Sequence, residues 1–142
     1  MNSVALSVPI SSGAVPAPTP TIALIPDALD RACLAAKIAA ENKATDVVVL
    51  DMRAVTPIFD FFVLATGGSR RQVHTVVEEV DDALKAVGDV RSGVEGYEAS
   101  KWVVQDYGDV MVHVFQPDTR EYYKLEELWA DATKVDWEQE IE

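Results

Sequence analysis

Three groups of residues in this chain could do chemistry. The first is Gly67-Gly68-Ser69-Arg70-Arg71, a glycine turn that runs into a helical pattern. Backbone N–H groups at a helix start attract anions, and two arginines would add to the pull. The run matches neither G-x-x-x-x-G-K-S/T nor G-x-G-x-x-G, so a capped helix with exposed arginines is the simpler reading. The second is the carboxylate series Glu78, Glu79, Asp81 and Asp82. Two-metal chemistry needs a convergent pair of carboxylates. Residues two apart on a helix point about 200° apart, so Glu79 and Asp81 cannot share an ion. The third is Asp51, Asp60, Asp106, Asp109 and His113 as acid–base groups. Aspartates beside turns and strand starts ordinarily bond local backbone. A histidine inside a strand is more often packed or hydrogen-bonded than catalytic. Ser69 and Cys33 carry no signature of an activated nucleophile. His74 and His113 are too few and too far apart in sequence for a metal site. The expectation is a protein with no catalytic residue, no metal and no cofactor.

The elements that must position these residues are read from periodicity. The run from Gly93 to Phe115 holds two strand-like segments, Trp102–Asp106 and Val110–Phe115, joined by the turn Tyr107-Gly108-Asp109. Val110, Val112 and Val114 share one face; Met111, His113 and Phe115 share the other, which suits a surface that something else covers. Upstream, Pro26-Asp27 predicts a helix start with proline in the first turn. Leu29, Cys33, Ala36 and Ala40 form its apolar stripe, Arg31 falls elsewhere on the wheel, and the helix stops near Asn42-Lys43. Asp46–Asp51 and Phe61–Ala65 are strands apolar on both faces. Ser69 and Gln72 form a capping box. The helix behind them carries Val73, Val77, Val80, Leu84 and Val87 on one stripe, with Gly88 at a left-handed cap. Asp118 and Glu121 repeat the capping logic for a third helix, with Tyr122, Leu125, Trp129 and Ala132 on its buried side. The predicted order is α-β-β-α-β-β-α, an α/β (α+β) fold with a mixed β-sheet and flanking helices. Residues 1–24 read as a Pro/Ser/Ala-rich disordered tail, 25–133 as the domain, and 134–142 as an acidic, frayed tail.

The chain has 142 residues, one domain's worth, with 12 basic against 24 acidic side chains and a formal charge of −12. That balance argues against a direct, non-specific grip on nucleic acid, which rests on neutralising phosphates, and no sequence-specific nucleic-acid partner is expected. A basic protein is its natural partner. Cys33 is the only cysteine, so an intrachain disulfide is impossible, and its Ala-rich surroundings make it a small core residue. No apolar run reaches membrane-spanning length. The first 26 residues lack any charged side chain, so the basic start of a secretory signal is missing. A reducing cytoplasm is the expected compartment.

Two resemblances follow. A strand, Gly67-Gly68-Ser69 and a helix are similar to the opening of polymerase-β-like nucleotidyltransferases, which makes a nucleotide-binding enzyme the alternative reading, although the paired carboxylates of that family are missing. The stronger match is longer. FDFFVLATGGSRRQVHTVVEEV, GVEGYEASKWVVQDYGDVMVHVF and REYYKLEELWAD together resemble the Iojap family of ribosomal silencing factors, RsfS, from about Leu29 to Asp131. The resemblance implies a nucleotidyltransferase-like fold without catalysis. It implies binding to ribosomal protein uL14 on the large ribosomal subunit, which blocks the small subunit and represses translation, and a capacity to form homodimers. Carried onto this chain, Trp102 is the expected aromatic anchor of the interface. Met111 and His113 extend the patch, and Arg70, Arg71, Glu95 and Tyr97 stand at its rim.

Overall fold

A computed structural model of the chain describes residues 25–124, 127 and 130–140. Among these, six strands form one mixed sheet. In chain order the elements are α1 (Ala28–Glu41), β1 (Thr45–Asp51), β2 (Phe61–Thr66), α2 (Arg70–Ala86), β3 (Gly93–Glu95), β4 (Trp102–Asp106), β5 (Val110–Phe115), α3 (Pro117–Tyr123), β6 (Thr133–Val135) and α4 (Trp137–Glu140). Across the sheet the strands run β3-β4-β5-β2-β1-β6. The β2–β5 pair is parallel; the other neighbours are antiparallel.

The alternation of each strand divides the core in two. Val49, Phe61, Val63, Ala65, Val103, Val110, Val112 and Val114 face α1 and α2. Leu50, Phe62, Leu64 and Phe115 face the other way, with Trp102, Met111 and Ala132 packed beside them. All six residues of β2 are buried, as expected of a strand covered on both sides. The hairpin also forms as its spacing predicts. Tyr107 N–H donates to the Val110 carbonyl, and Gly108 takes a positive φ of 89° that favours glycine.

Helix α2 follows its predicted stripe. Val73, Val76, Val77, Val80 and Leu84 are buried, and Gly88 sits beyond its C-terminus with φ 98°. Ser69 caps it by accepting from Gln72 N–H. The reciprocal arm differs from a standard box. Gln72 Oε1 accepts from Gly68 N–H, while its Nε2 donates to the Asn42 and Lys43 carbonyls, tying the end of α1 to the start of α2.

Four expectations are corrected. Pro26 precedes the helix; Asp27 is the N-cap and accepts from Asp30 N–H at 2.9 Å. Helix α1 buries Arg31, Ala32, Cys33, Ala35, Ala36 and Ala39, so its inner face is rotated from the predicted stripe. Arg31 is drawn in because Asp89 and Asp109, at 2.7 and 2.8 Å, neutralise its guanidinium. Those partners raise its pKa above the usual arginine value, the Asp109 hydrogen bond most of all. The third helix is short: Gln116 is its N-cap without a side-chain bond, Pro117 occupies the first turn, and Lys124 ends it with a left-handed φ of 49°. Tyr122 is therefore 79% exposed rather than buried. Leu125 and Trp129 lie outside the described residues. The element order, finally, has more members than predicted. Gly93–Glu95 is an edge strand, Thr133–Val135 pairs with β1, and Trp137 packs on the α1 side with its indole N–H donating to the Val47 carbonyl.

A bulge links this frame to α3. Thr45 pairs with Thr66 but Val48 with Leu64, one extra residue in β1. Asp46 within it has φ 49°. Buried Arg120 donates to the Asp46 carbonyl at 2.7 Å and to Thr66 Oγ1 at 2.8 Å, which anchors the short helix to the sheet.

Candidate functional site

The site grows from the start of β4. Trp102 pairs with Phe115 across the ladder, and His113 lies diagonally from it on the same face. The Trp102 indole N–H donates to His113 Nδ1 at 3.1 Å. That fixes the tautomer: Nδ1 is the bare acceptor. His113 is 5% exposed, and burial lowers its pKa from the usual 6.5 to about 4. It is neutral at ordinary pH. The Phe62 ring lies 4.9 Å from the imidazole and Phe115 stacks at 6.0 Å. Trp102 is held between Phe115 and Tyr123, each at 5.5 Å between ring centroids.

The hairpin's second face is thus not an open surface. Phe115 and His113 are buried within the chain, and Met111 is half-buried. Surface reappears at the rim. A groove of about 500 Å³ is lined by Lys101, Trp102, Asp118, Thr119, Tyr122 and Tyr123. Tyr122 and Tyr123 meet edge to face at 4.9 Å, and Tyr123 is 50% exposed. Lys101 and Asp118 stand 3.9 Å apart at its border, both exposed.

The loop before Trp102 is set by α2. The His74 and Tyr97 rings stack at 4.0 Å and 5°. His74 Nε2 lies 2.8 Å from the Tyr97 carbonyl, which can only accept, so the proton is on Nε2. The same nitrogen lies 2.6 Å from Ser100 Oγ. The Tyr97 hydroxyl donates to Glu78, and that bond is the main cause of its raised pKa. Ser100 is fully buried with φ 62°. Gly96 has φ 79°, and a Cβ there would collide with the Trp102 carbonyl.

Seven residues were expected at one interface; the structure divides them. Trp102, Met111 and His113 belong to the second face of the sheet. Arg70 and Arg71 are exposed on α2, where with His74, Thr75, Glu78 and Glu79 they line a separate groove of about 640 Å³. Tyr97 packs towards the α2 core, and Glu95 is exposed on edge strand β3. The groove beside Trp102 also contains residues that periodicity missed, Tyr122 and Tyr123. The end of α3 at Lys124 leaves the Tyr122 ring at the surface rather than on the buried stripe that its spacing predicts.

The other chemical candidates resolve into structure. Gly67 N–H donates to the Phe115 carbonyl and Gly68 N–H to Gln72, so these turn amides are already used. Asp51 pairs with Arg53, whose hydrogen bond lowers its pKa. Asp106 accepts from Gly108 N–H inside the turn, and Asp109 holds Arg31. Tyr107 donates to Asp81 at 2.8 Å, and burial raises its pKa well above the usual value. The described residues contain no group of three or more His, Cys, Asp or Glu side chains that could hold a metal ion.

A family model described as "Ribosomal silencing factor during starvation", RsfS, matches residues 25–142. The chain belongs to that family. A ribosomal silencing factor RsfS from Halalkalibacterium halodurans is 42% identical over 105 residues, covering 74% of this chain and 90% of its own. The mouse protein named mitochondrial assembly of ribosomal large subunit protein 1 is 33% identical over 92 residues, 63% of this chain and 40% of its own. A crystal structure of a Chromobacterium violaceum protein superposes with a TM-score of 0.72 at 37% identity, over 74% of this chain and 88% of that one. The mixed sheet and its flanking helices are thus shared with solved structures of related sequence. No helix among the described residues is long and apolar enough to cross a membrane.

Proposed function

We propose that this protein silences ribosomes by occupying space: it binds ribosomal protein uL14 on the large subunit and so keeps the small subunit from joining. Family membership over residues 25–142 carries the reading. The mouse relative's name, with its reference to large-subunit assembly, supports the choice of subunit. A formal charge of −12 favours a basic ribosomal partner. The exposed aromatic groove at Trp102, Tyr122 and Tyr123 has the composition of a protein-binding hot spot, with aromatic anchors and a charged border. The action is steric, without catalysis, cofactor or metal, in the cytoplasm. The nucleotidyltransferase-like origin of the fold and the capacity to pair with a second copy belong to the same proposal.

Sucrose-gradient sedimentation tests it. The protein added to separated subunits should migrate with the large subunit and lower the yield of joined ribosomes. Full joining at several-fold molar excess of the protein would rule the proposal out. Calorimetric titration with ATP and Mg²⁺ addresses the alternative enzyme, for which tight, metal-dependent binding is the required outcome.

A further inference from the structure

We infer that His113 is a positioning residue for the docking surface: its Nδ1 lone pair holds the Trp102 indole in the orientation that walls the groove. The inference rests on the ribosome-docking reading above. His113 itself is 5% exposed and offers a partner almost no surface. What it controls is a half-buried neighbour that does line the groove.

The geometry aims the imidazole at the indole. Its ring is fixed by Phe62 at 4.9 Å and Phe115 at 6.0 Å, so the Nδ1 direction is set by packing. The indole N–H meets that lone pair at 3.1 Å. Aromatic contacts with Phe115 and Tyr123 hold the plane of the indole. The hydrogen bond gives its N–H edge a fixed partner inside the chain. Without an acceptor, the N–H would face an apolar enclosure, and the ring would turn to reach water. An anchor already in its bound orientation loses less freedom when a partner arrives. Burial keeps the imidazole neutral, so the lone pair is present throughout the physiological range.

The test compares an apolar replacement with an acceptor-bearing one. His113→Phe fills the space without a lone pair, and His113→Leu is a second apolar arm. His113→Asn places an amide near the Nδ1 position. In ¹⁵N-labelled protein, the Trp102 indole proton should show a hydrogen-bonded shift and slow solvent exchange. Both signs should vanish in the apolar variants and return in His113→Asn. Binding to large subunits should weaken about tenfold in the apolar variants, the worth of one ordered hydrogen bond, and recover in His113→Asn. A merely structural role would give the opposite ranking, because a buried amide destabilises more than a phenyl or isobutyl group. Affinities that follow thermal stability rather than the indole signal would overturn the inference, as would wild-type affinity in an apolar variant that has lost the signal. If the wild-type protein itself fails to bind large subunits, the docking reading falls and this inference falls with it.

Discussion

The two faces of the sheet are built from different materials. The α1–α2 face is valine and alanine under long helices, with Val63, Val73, Val77, Val112 and Leu84 fully buried. Its ends are closed by ion pairs and caps. The other face is aromatic. Phe62, Phe115, His113 and Trp102 pack at ring distances of 4.9 to 6.2 Å, and one of them is fixed by a side-chain hydrogen bond. Small aliphatic cores hold a fold through volume and tolerate little else. Aromatic surfaces with a polar edge can be half-buried without strain and remain ready for a second partner. The first face is closed by helices; the second is also buried at Leu64 and Phe115 but ends in a half-exposed aromatic rim, on which the proposed recognition rests.

Three experiments would break or sharpen that division. Leu84→Ala on the first face should cost about 3 to 4 kcal/mol of stability, read as a lower denaturation midpoint, while folded protein keeps its affinity for large subunits. A loss of affinity beyond the unfolded fraction would mean that the faces are not separable. On the second face, acid is the probe. His113 has a folded-state pKa of about 4, below the usual 6.5 that the unfolded chain retains. The unfolded chain therefore binds the extra proton, and stability is lost as pH falls through 6.5 towards 4. The loss reaches about 3 kcal/mol at the bottom of that window. His113→Asn lacks this component, so its stability curve against pH should be flatter by that amount; parallel curves would contradict the burial of a neutral imidazole.

The smaller effects separate anchor from rim. Trp102→Ala should weaken large-subunit binding by about 2 kcal/mol, whereas Tyr122→Ala should change stability by less than about 0.5 kcal/mol, since its ring is 79% exposed. Titration against large subunits and thermal melts measure the two. Equal affinities for Trp102→Ala and wild type would move the docking site away from β4.

Legibility followed the same line. Helix α2 was readable because one face buries a 3.6-residue period and the other does not, and Ser69 and Gly88 mark its ends with local chemistry. The β4–β5 hairpin was readable because the Tyr107-Gly108-Asp109 turn and the alternating valines are short-range signals. Arg31 was assigned to the polar side because its partners, Asp89 and Asp109, are 58 and 78 positions away. Tyr122 departs from its predicted buried stripe for a related reason. The end of α3 depends on a left-handed Lys124 and on Arg120 reaching across to β1, neither of which has a pattern in the local sequence.

The residues alone carried the resemblance to the family, through three long matching runs, and they set α2, the β4–β5 hairpin and the acidic charge, through composition or neighbours a few positions apart. Tertiary structure decided which residues share a surface. It set Arg70 and Arg71 in a groove apart from Trp102 and brought Tyr122 and Tyr123 beside Trp102. It also turned one histidine into a buried acceptor. Such groupings depend on strand order and on contacts between distant segments, and no local period encodes them.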